Sequence, residues 1–192
     1  MPGSTPTRAM TDKLQFPLTL YPDPILRKVA QSVETFDSGL RAIVAAMLER
    51  MYASNGVGLA APQVGLGQRI LVLNPTGEPA DELALVNVRI VDRAGELTTM
   101  DEGCLSFPDI FAAVQRPERC TVKAFDPAGK PMEREFDGFA SRIVQHEYDH
   151  LEGVLLVDRM SPADKLRHKS ALQELVLRHR ARVKSAAGGT RR

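Results

Sequence analysis

Residues 139–153 read FASRIVQHEYDHLEG, and this stretch decides how the rest of the chain is arranged. It follows the turn signal Asp137-Gly138, carries the apolar residues Ile143 and Val144, and closes at Gly153, so it reads as a helix from Phe139 to about Leu151. Within it His146-Glu147-Tyr148-Asp149-His150 is an HExxH motif. Positions i and i+4 lie one turn apart on one helix face, so both imidazoles can reach a single metal ion, with Glu147 beside the open coordination position. With four His and twelve Glu in 192 residues, chance alone gives the pattern in roughly one such chain in two hundred. The chemistry it suggests is metal-assisted hydrolysis.

Two histidines do not complete a site, and a catalytic ion of this kind needs a third protein ligand. A downstream histidine at the metzincin spacing would fall on Leu156, so that arrangement fails. Glu174 is a possible downstream carboxylate, although it lies beyond Ser161-Pro162 and has Arg178 four residues on as a surface partner. Upstream, Glu102-Gly103-Cys104-Leu105-Ser106 sets a thiol beside a glycine that permits close backbone approach. Cys120, within the alternating run Arg119-Cys120-Thr121-Val122, reads instead as a buried strand residue.

Working outward, Leu40, Ile43, Val44, Met47 and Met51 recur at helical spacing between an N-cap at Asp37 or Ser38 and a stop at Asn55-Gly56. From Arg69 to Phe136 the short β-rich runs RILVLN, LALVNVRIV, RCTVKAF and MEREF are separated by turn signals at Asn74-Pro75, Ala94-Gly95 and Asp126-Pro127-Ala128-Gly129, which predicts antiparallel hairpins. VLLVD at 154–158 reads as a short strand or turn. Ser161 with Asp164 starts a third helix, with a stripe of Leu172, Leu175, Val176 and Val183.

The length and the 43% hydrophobic and 26% charged residues suit one α+β domain with a sizeable core, and exclude collagen-like, disordered and disulfide-scaffold classes. The net charge of +1 hides a contrast: from Ser161 onward it is +7, and over residues 1–160 it is −6. The expected organisation is a disordered segment at 1–13, a catalytic domain at 14–160, a basic helix at 161–184 packed on that domain, and a flexible tail at 185–192. Two cysteines and no apolar run of roughly 18 residues point to a reducing compartment and no membrane span.

Taken together, GVGLAAPQ at 56–63, EGCLS at 102–106 and QHEYDHLEG at 145–153, in that order and spacing, resemble the three signature motifs of the peptide deformylases. The likeness extends in general layout from about Leu14 to Arg180. It implies an α+β fold of antiparallel strands around the HExxH helix, with a C-terminal helix. It also implies Cys104, His146 and His150 as metal ligands, Glu147 as general base and acid, and Gln63 with the backbone N–H of Leu105 as holders of the oxyanion. Gly58 would face the substrate backbone, and Ile143, one helix turn before Glu147, would either line a pocket for the methionine side chain or pack in the core. The implied activity is removal of the N-formyl group from the formylmethionine of newly made polypeptides, with release of formate. The cofactor expected is one divalent ion, iron(II) in the cell, with zinc, nickel or cobalt able to replace it. The expected partners are N-formylmethionyl nascent peptides and, through the basic helix, the ribosome, with neither DNA nor membrane. The expected compartment is a bacterial-type cytoplasm, an organelle being the alternative.

Overall fold

A computed structural model describes residues 15–189. The segment expected to be disordered, residues 1–13, lies outside them, as do residues 190–192 of the expected tail. Five strands, β1 (Gly58–Ala60), β2 (Ile70–Leu73), β3 (Leu83–Cys104), β4 (Phe107–Phe125) and β5 (Pro131–Phe136), form one antiparallel sheet in the order in which they occur along the chain. The fold is therefore α+β and is built of sequential hairpins, which are the cheapest connections for antiparallel strands.

Helices cover both faces of the short end of this sheet. In β2 the side chains of Ile70 and Val72 pack with Val44, Met47 and Met51 of α1 (Ser38–Ala53), while Leu71 and Leu73 pack with Ile143, Val144 and Leu151 of α2 (Gly138–Leu151). A strand covered on both sides must be apolar at every position, and all four residues of β2 are buried. The Asp37 carboxylate accepts the N–H of Leu40 at 2.9 Å, as a helix N-cap should, and α2 spans the stretch predicted for it.

Three local expectations need correction. Ala94-Gly95 does not end a strand: Gly95, at φ +84°, sits at a register shift between Ala94 and Leu97, bending a 22-residue β3 without terminating it. Of the two readings of VLLVD the strand falls and the turn stands, as the single helical turn α3 (Leu156–Arg159), in which the Asp158 carboxylate accepts the N–H of Leu155 at 2.8 Å. The third helix is two helices, α4 (Pro162–Arg167) and α5 (Lys169–Gly189), broken at His168, whose backbone (φ −94°, ψ 8°) leaves the helical range. α5 also runs past Lys184 to Gly189, through the helix-compatible residues Ser185, Ala186 and Ala187.

Leu155, Leu156 and Met160 seal a third cluster with Phe107, Ile110 and Val114 of β4, and Leu175 of α5 is buried against it. The turn after α2 depends on Gly153, which holds φ +70°; a Cβ there would stand 2.5 Å from the carbonyl oxygen of Arg27. Gly153→Ala is therefore expected to cost about 1–3 kcal/mol of stability, from left-handed strain together with the backbone clash. Urea unfolding reads this as a lowered midpoint, and an unchanged midpoint would mean that the two backbones separate freely.

Candidate metal centre

The long hairpin carries Cys104 to the point where β3 turns through Leu105-Ser106 into β4, directly beside α2. There the Cys104 thiol and the imidazoles of His146 and His150 bring their ligand atoms within 4.8 Å of one another. The Cys104 Sγ lies 3.2 Å from His150 Nε2, and the two rings meet nearly edge to face with centroids 5.3 Å apart. Among the described residues no other group of three His, Cys, Asp or Glu side chains converges in this way. One thiolate and two imidazole nitrogens at such spacing fit a tetrahedral divalent ion with a position left for water or substrate.

Two glycines make room for this assembly. A Cβ on Gly58 would lie 2.6 Å from both Glu147 Oε1 and Ile143 Cγ2, so β1 can cross α2 here only without a side chain. A Cβ on Gly103 would lie 2.6 Å from the ring of Phe111. Gln63, in the short helical turn Ala61–Val64, is anchored by its Oε1, which accepts the N–H of Ala60 at 2.7 Å. Its amide nitrogen is left to face Cys104 Sγ at 3.6 Å. Together with Leu105, these residues line a cleft of about 600 Å³ that reaches outward past Met100, Phe111 and Phe139. Ile143 has two roles, as a wall of that cleft and as a member of the core beneath the sheet.

At Glu147 and His150 burial sets the direction in which each group is shifted. Glu147 is 5% exposed, and its Oε2 is a buried oxygen with no hydrogen-bond partner. Burial pushes its carboxyl up to about 7, against the lowering effect of His146. Burial likewise holds His150 well below the usual imidazole range, so its ring is neutral, the form that binds a metal.

His146 points its Nδ1 at Glu102 Oε2, 2.9 Å away, which fixes the ring and turns Nε2 toward the thiol. Glu102 has no role in the sequence reading, yet it is the most heavily bonded carboxylate near the site. Arg116 donates to both of its oxygens at 2.7 and 2.9 Å, and Arg142 donates to Oε1 at 2.8 Å. Burial alone would raise the Glu102 carboxyl, but the hydrogen bonds from His146 and Arg116 outweigh it and hold the group at about 2. Arg116 continues to Asp149, which Arg159 grips from the far side at 2.6 Å. The only signal available in the sequence was proximity: Glu102 stands two residues before Cys104, Arg142 one turn before His146, and Asp149 inside HExxH.

The other candidates lie elsewhere. Glu174 is exposed on α5 and pairs with Arg178 at 2.8 Å, so it takes no part in the centre. Cys120 is buried in β4 beneath α2, and burial pushes its thiol up, the state of an inert core cysteine.

Comparison with known proteins agrees with this architecture. Residues 16–166 match the family model for polypeptide deformylase. A peptide deformylase of Thermotoga maritima is 42% identical over 158 residues, covering 82% of this chain and 94% of that protein. Peptide deformylase 1B of Arabidopsis thaliana, chloroplastic/mitochondrial, is 48% identical over 143 residues, 73% of this chain and 52% of that protein. A crystal structure of peptide deformylase from Plasmodium falciparum superposes with a TM-score of 0.83 at 38% identity, covering 86% of this chain and 98% of that one.

Removing one partner from a buried ion network strands the others without compensation. Glu102→Ala is therefore expected to lower unfolding stability by about 3–5 kcal/mol, and Glu174→Ala by less than about 0.5 kcal/mol, as for most surface positions. Denaturant melts of the two variants side by side check the difference.

Proposed function

The chain belongs to the polypeptide deformylase family and removes the N-formyl group from newly made polypeptides, and from that premise we propose how its residues divide the work. The observation that carries the assignment is the convergence of Cys104, His146 and His150 in one cluster, with Cys104, His146 and Glu147, whose Oε2 has no hydrogen-bond partner, lining the same cleft.

In this reading Cys104, His146 and His150 hold one divalent ion, which when bound supplies Lewis acidity, acidifying a water and polarising a carbonyl oxygen. Glu147, poised by burial near neutrality, takes the proton from the attacking water and returns it to the leaving nitrogen. The Gln63 amide and the Leu105 N–H donate to the oxygen of the formyl group as it gains negative charge. Gly58 lets the substrate backbone approach β1, and Ile143 bounds the pocket for the methionine side chain. The donor set admits zinc, iron(II), cobalt or nickel. Iron(II) as the cellular ion rests on the family likeness.

The catalytic unit corresponds to residues 14–160, with the basic segment 161–184 as an appended element. Among the described residues no helix is long and apolar enough to cross a membrane. Two free cysteines, one of them at the centre, suit a reducing bacterial-type cytoplasm. Lys169, Arg180 and Lys184 are exposed along α5, and this supports docking on ribosomal RNA through phosphate contacts.

Formate release from formyl-Met-Ala-Ser, with metal analysis of the same anaerobically purified sample, tests the core of this reading. Glu147→Gln should keep its metal and lose about 10²–10⁴-fold in turnover. Cys104→Ser should lose the metal, and Glu174→Ala should keep both metal and turnover. Near-normal turnover in metal-loaded Glu147→Gln would remove Glu147 from the mechanism.

Replacing Lys169, Arg180 and Lys184 together by Ala should leave turnover of free formyl-peptides unchanged. Cosedimentation with ribosomes should weaken, and its dependence on salt should become shallower. Wild-type protein that fails to cosediment at low salt would sink the docking idea alone.

A further inference from the structure

Arg142 lies on α2 one turn before His146 and is 5% exposed. Its guanidinium spans the hairpin: Nη1 donates to Glu102 Oε1 at 2.8 Å and to the Val114 carbonyl at 3.0 Å, while Nη2 donates to the Thr98 carbonyl at 2.8 Å and to Thr98 Oγ1 at 2.9 Å. Thr98, Met100 and Glu102 are alternate residues of β3 within a stretch free of register shifts, so they share one strand face. Arg142 thus grips the residues on either side of Met100. Met100 and Phe139 are half-exposed at the outer part of the cleft, on β3 and on the first turn of α2, and Arg142 stands one turn further along the same helix.

We infer that Arg142 is a positioning residue that sets the spacing between α2 and β3, and thereby fixes two things together: the orientation of His146, through Glu102, and the width of the substrate cleft between Met100 and Phe139. A planar guanidinium is suited to this because its rigid fork meets acceptors at both ends at fixed separation, whereas a lysine ammonium presents its donors at one point. The clamp acts on substrates by shaping the wall beside the side chain next to the formyl group. It needs no contact with the reacting atoms. The substrate half of the inference rests on the deformylase reading, and the metal half does not.

Arg142→Met and Arg142→Lys separate the two ends. Metal affinity is measured by competition with a chelator, and cleft width by the ratio of kcat/KM for formyl-Met-Ala-Ser to that for formyl-Ala-Ala-Ser. Arg142→Met is expected to bind metal about 10–100-fold more weakly, as for loss of support behind a metal ligand. Its preference for the methionyl peptide should fall by about tenfold, within the range of pocket-fit effects. Arg142→Lys, which retains a charge against Glu102 but cannot span to Thr98, should recover metal affinity and not the preference. Unchanged metal affinity in a folded Arg142→Met protein overturns the inference. So does a lysine variant that recovers both quantities, because charge alone would then suffice. If Arg142→Met does not fold, the lysine variant decides, and wild-type preference in it overturns the clamp. Wild-type protein that releases no formate removes the deformylase reading and the cleft-width half with it, while chelator competition still judges the link to His146.

Discussion

Four hydrogen bonds converge on the buried Glu102 carboxylate, two from Arg116 of β4 and one each from Arg142 and His146 of α2, and the rest of the site depends on their being made together. Each ion taken out of water costs several kcal/mol, and only a complete set of partners offsets that. Glu102 stands on β3 and its partners come from β4 and α2, so completing the set requires the hairpin to close in register and α2 to lie across it at one height. Electrostatic need is thereby converted into positional accuracy. Cys104, two residues beyond Glu102 on the same strand, is delivered to the imidazoles by the same closure.

That arrangement contributes little apolar burial, and its stability has to come from elsewhere. On α2 the buried residues include Ser141, Arg142, Gln145, Glu147, Asp149 and His150, an unusual load of polar groups for a central helix. The compensation lies beside it, in β2, where Ile70 and Val72 face α1 while Leu71 and Leu73 face α2. Fully burying an aliphatic side chain of this size is worth about 1.5–3 kcal/mol, so two-sided burial of one short strand is an efficient counterweight. Glycine at 58 then lets the neighbouring strand pass over Glu147 without filling the cleft.

Patterns confined to neighbouring residues were legible in the sequence. HExxH at 146–150 needs only helical periodicity and stands as read, and the N-cap needs only its own turn, the structure taking Asp37 of the two candidates Asp37 and Ser38. The outer half of the hairpin was not legible, because β3 beyond Val91 is largely exposed on a two-stranded ribbon and so lacks the alternation that half-buried strands show. Gly95 looked like punctuation because a bulge and a turn ask for the same positive φ. α3 was obscured by Leu155 and Leu156, both buried, whose adjacency imitates a strand. The Glu102 network was out of reach for a different reason: Arg116 and Asp149 are 33 residues apart, and no single-chain periodicity signals a contact at that separation.

The junction between α2 and the C-terminal helices shows how far the buried network extends. Its last member, Arg159, is partly exposed and ends α3, holding Asp149 immediately before His150. Ser161 caps α4 two residues later, and the break at His168 separates α4 from α5, where Leu175 is buried and Leu172 partly so. α5 meets the body through the apolar contact of Leu172 and Leu175 and through the outlying pair of Arg182 with Asp23, whereas the hydrogen bonds on Glu102 and Asp149 come from β4, α2 and α3. A helix joined in this way can carry a strongly basic face without perturbing the centre, since attraction to a polyanion falls off within about 10 Å at 0.1 M salt. The same separation lets one chain combine an acidic body with a basic appendage: each sign of charge is concentrated where the other is not being buried.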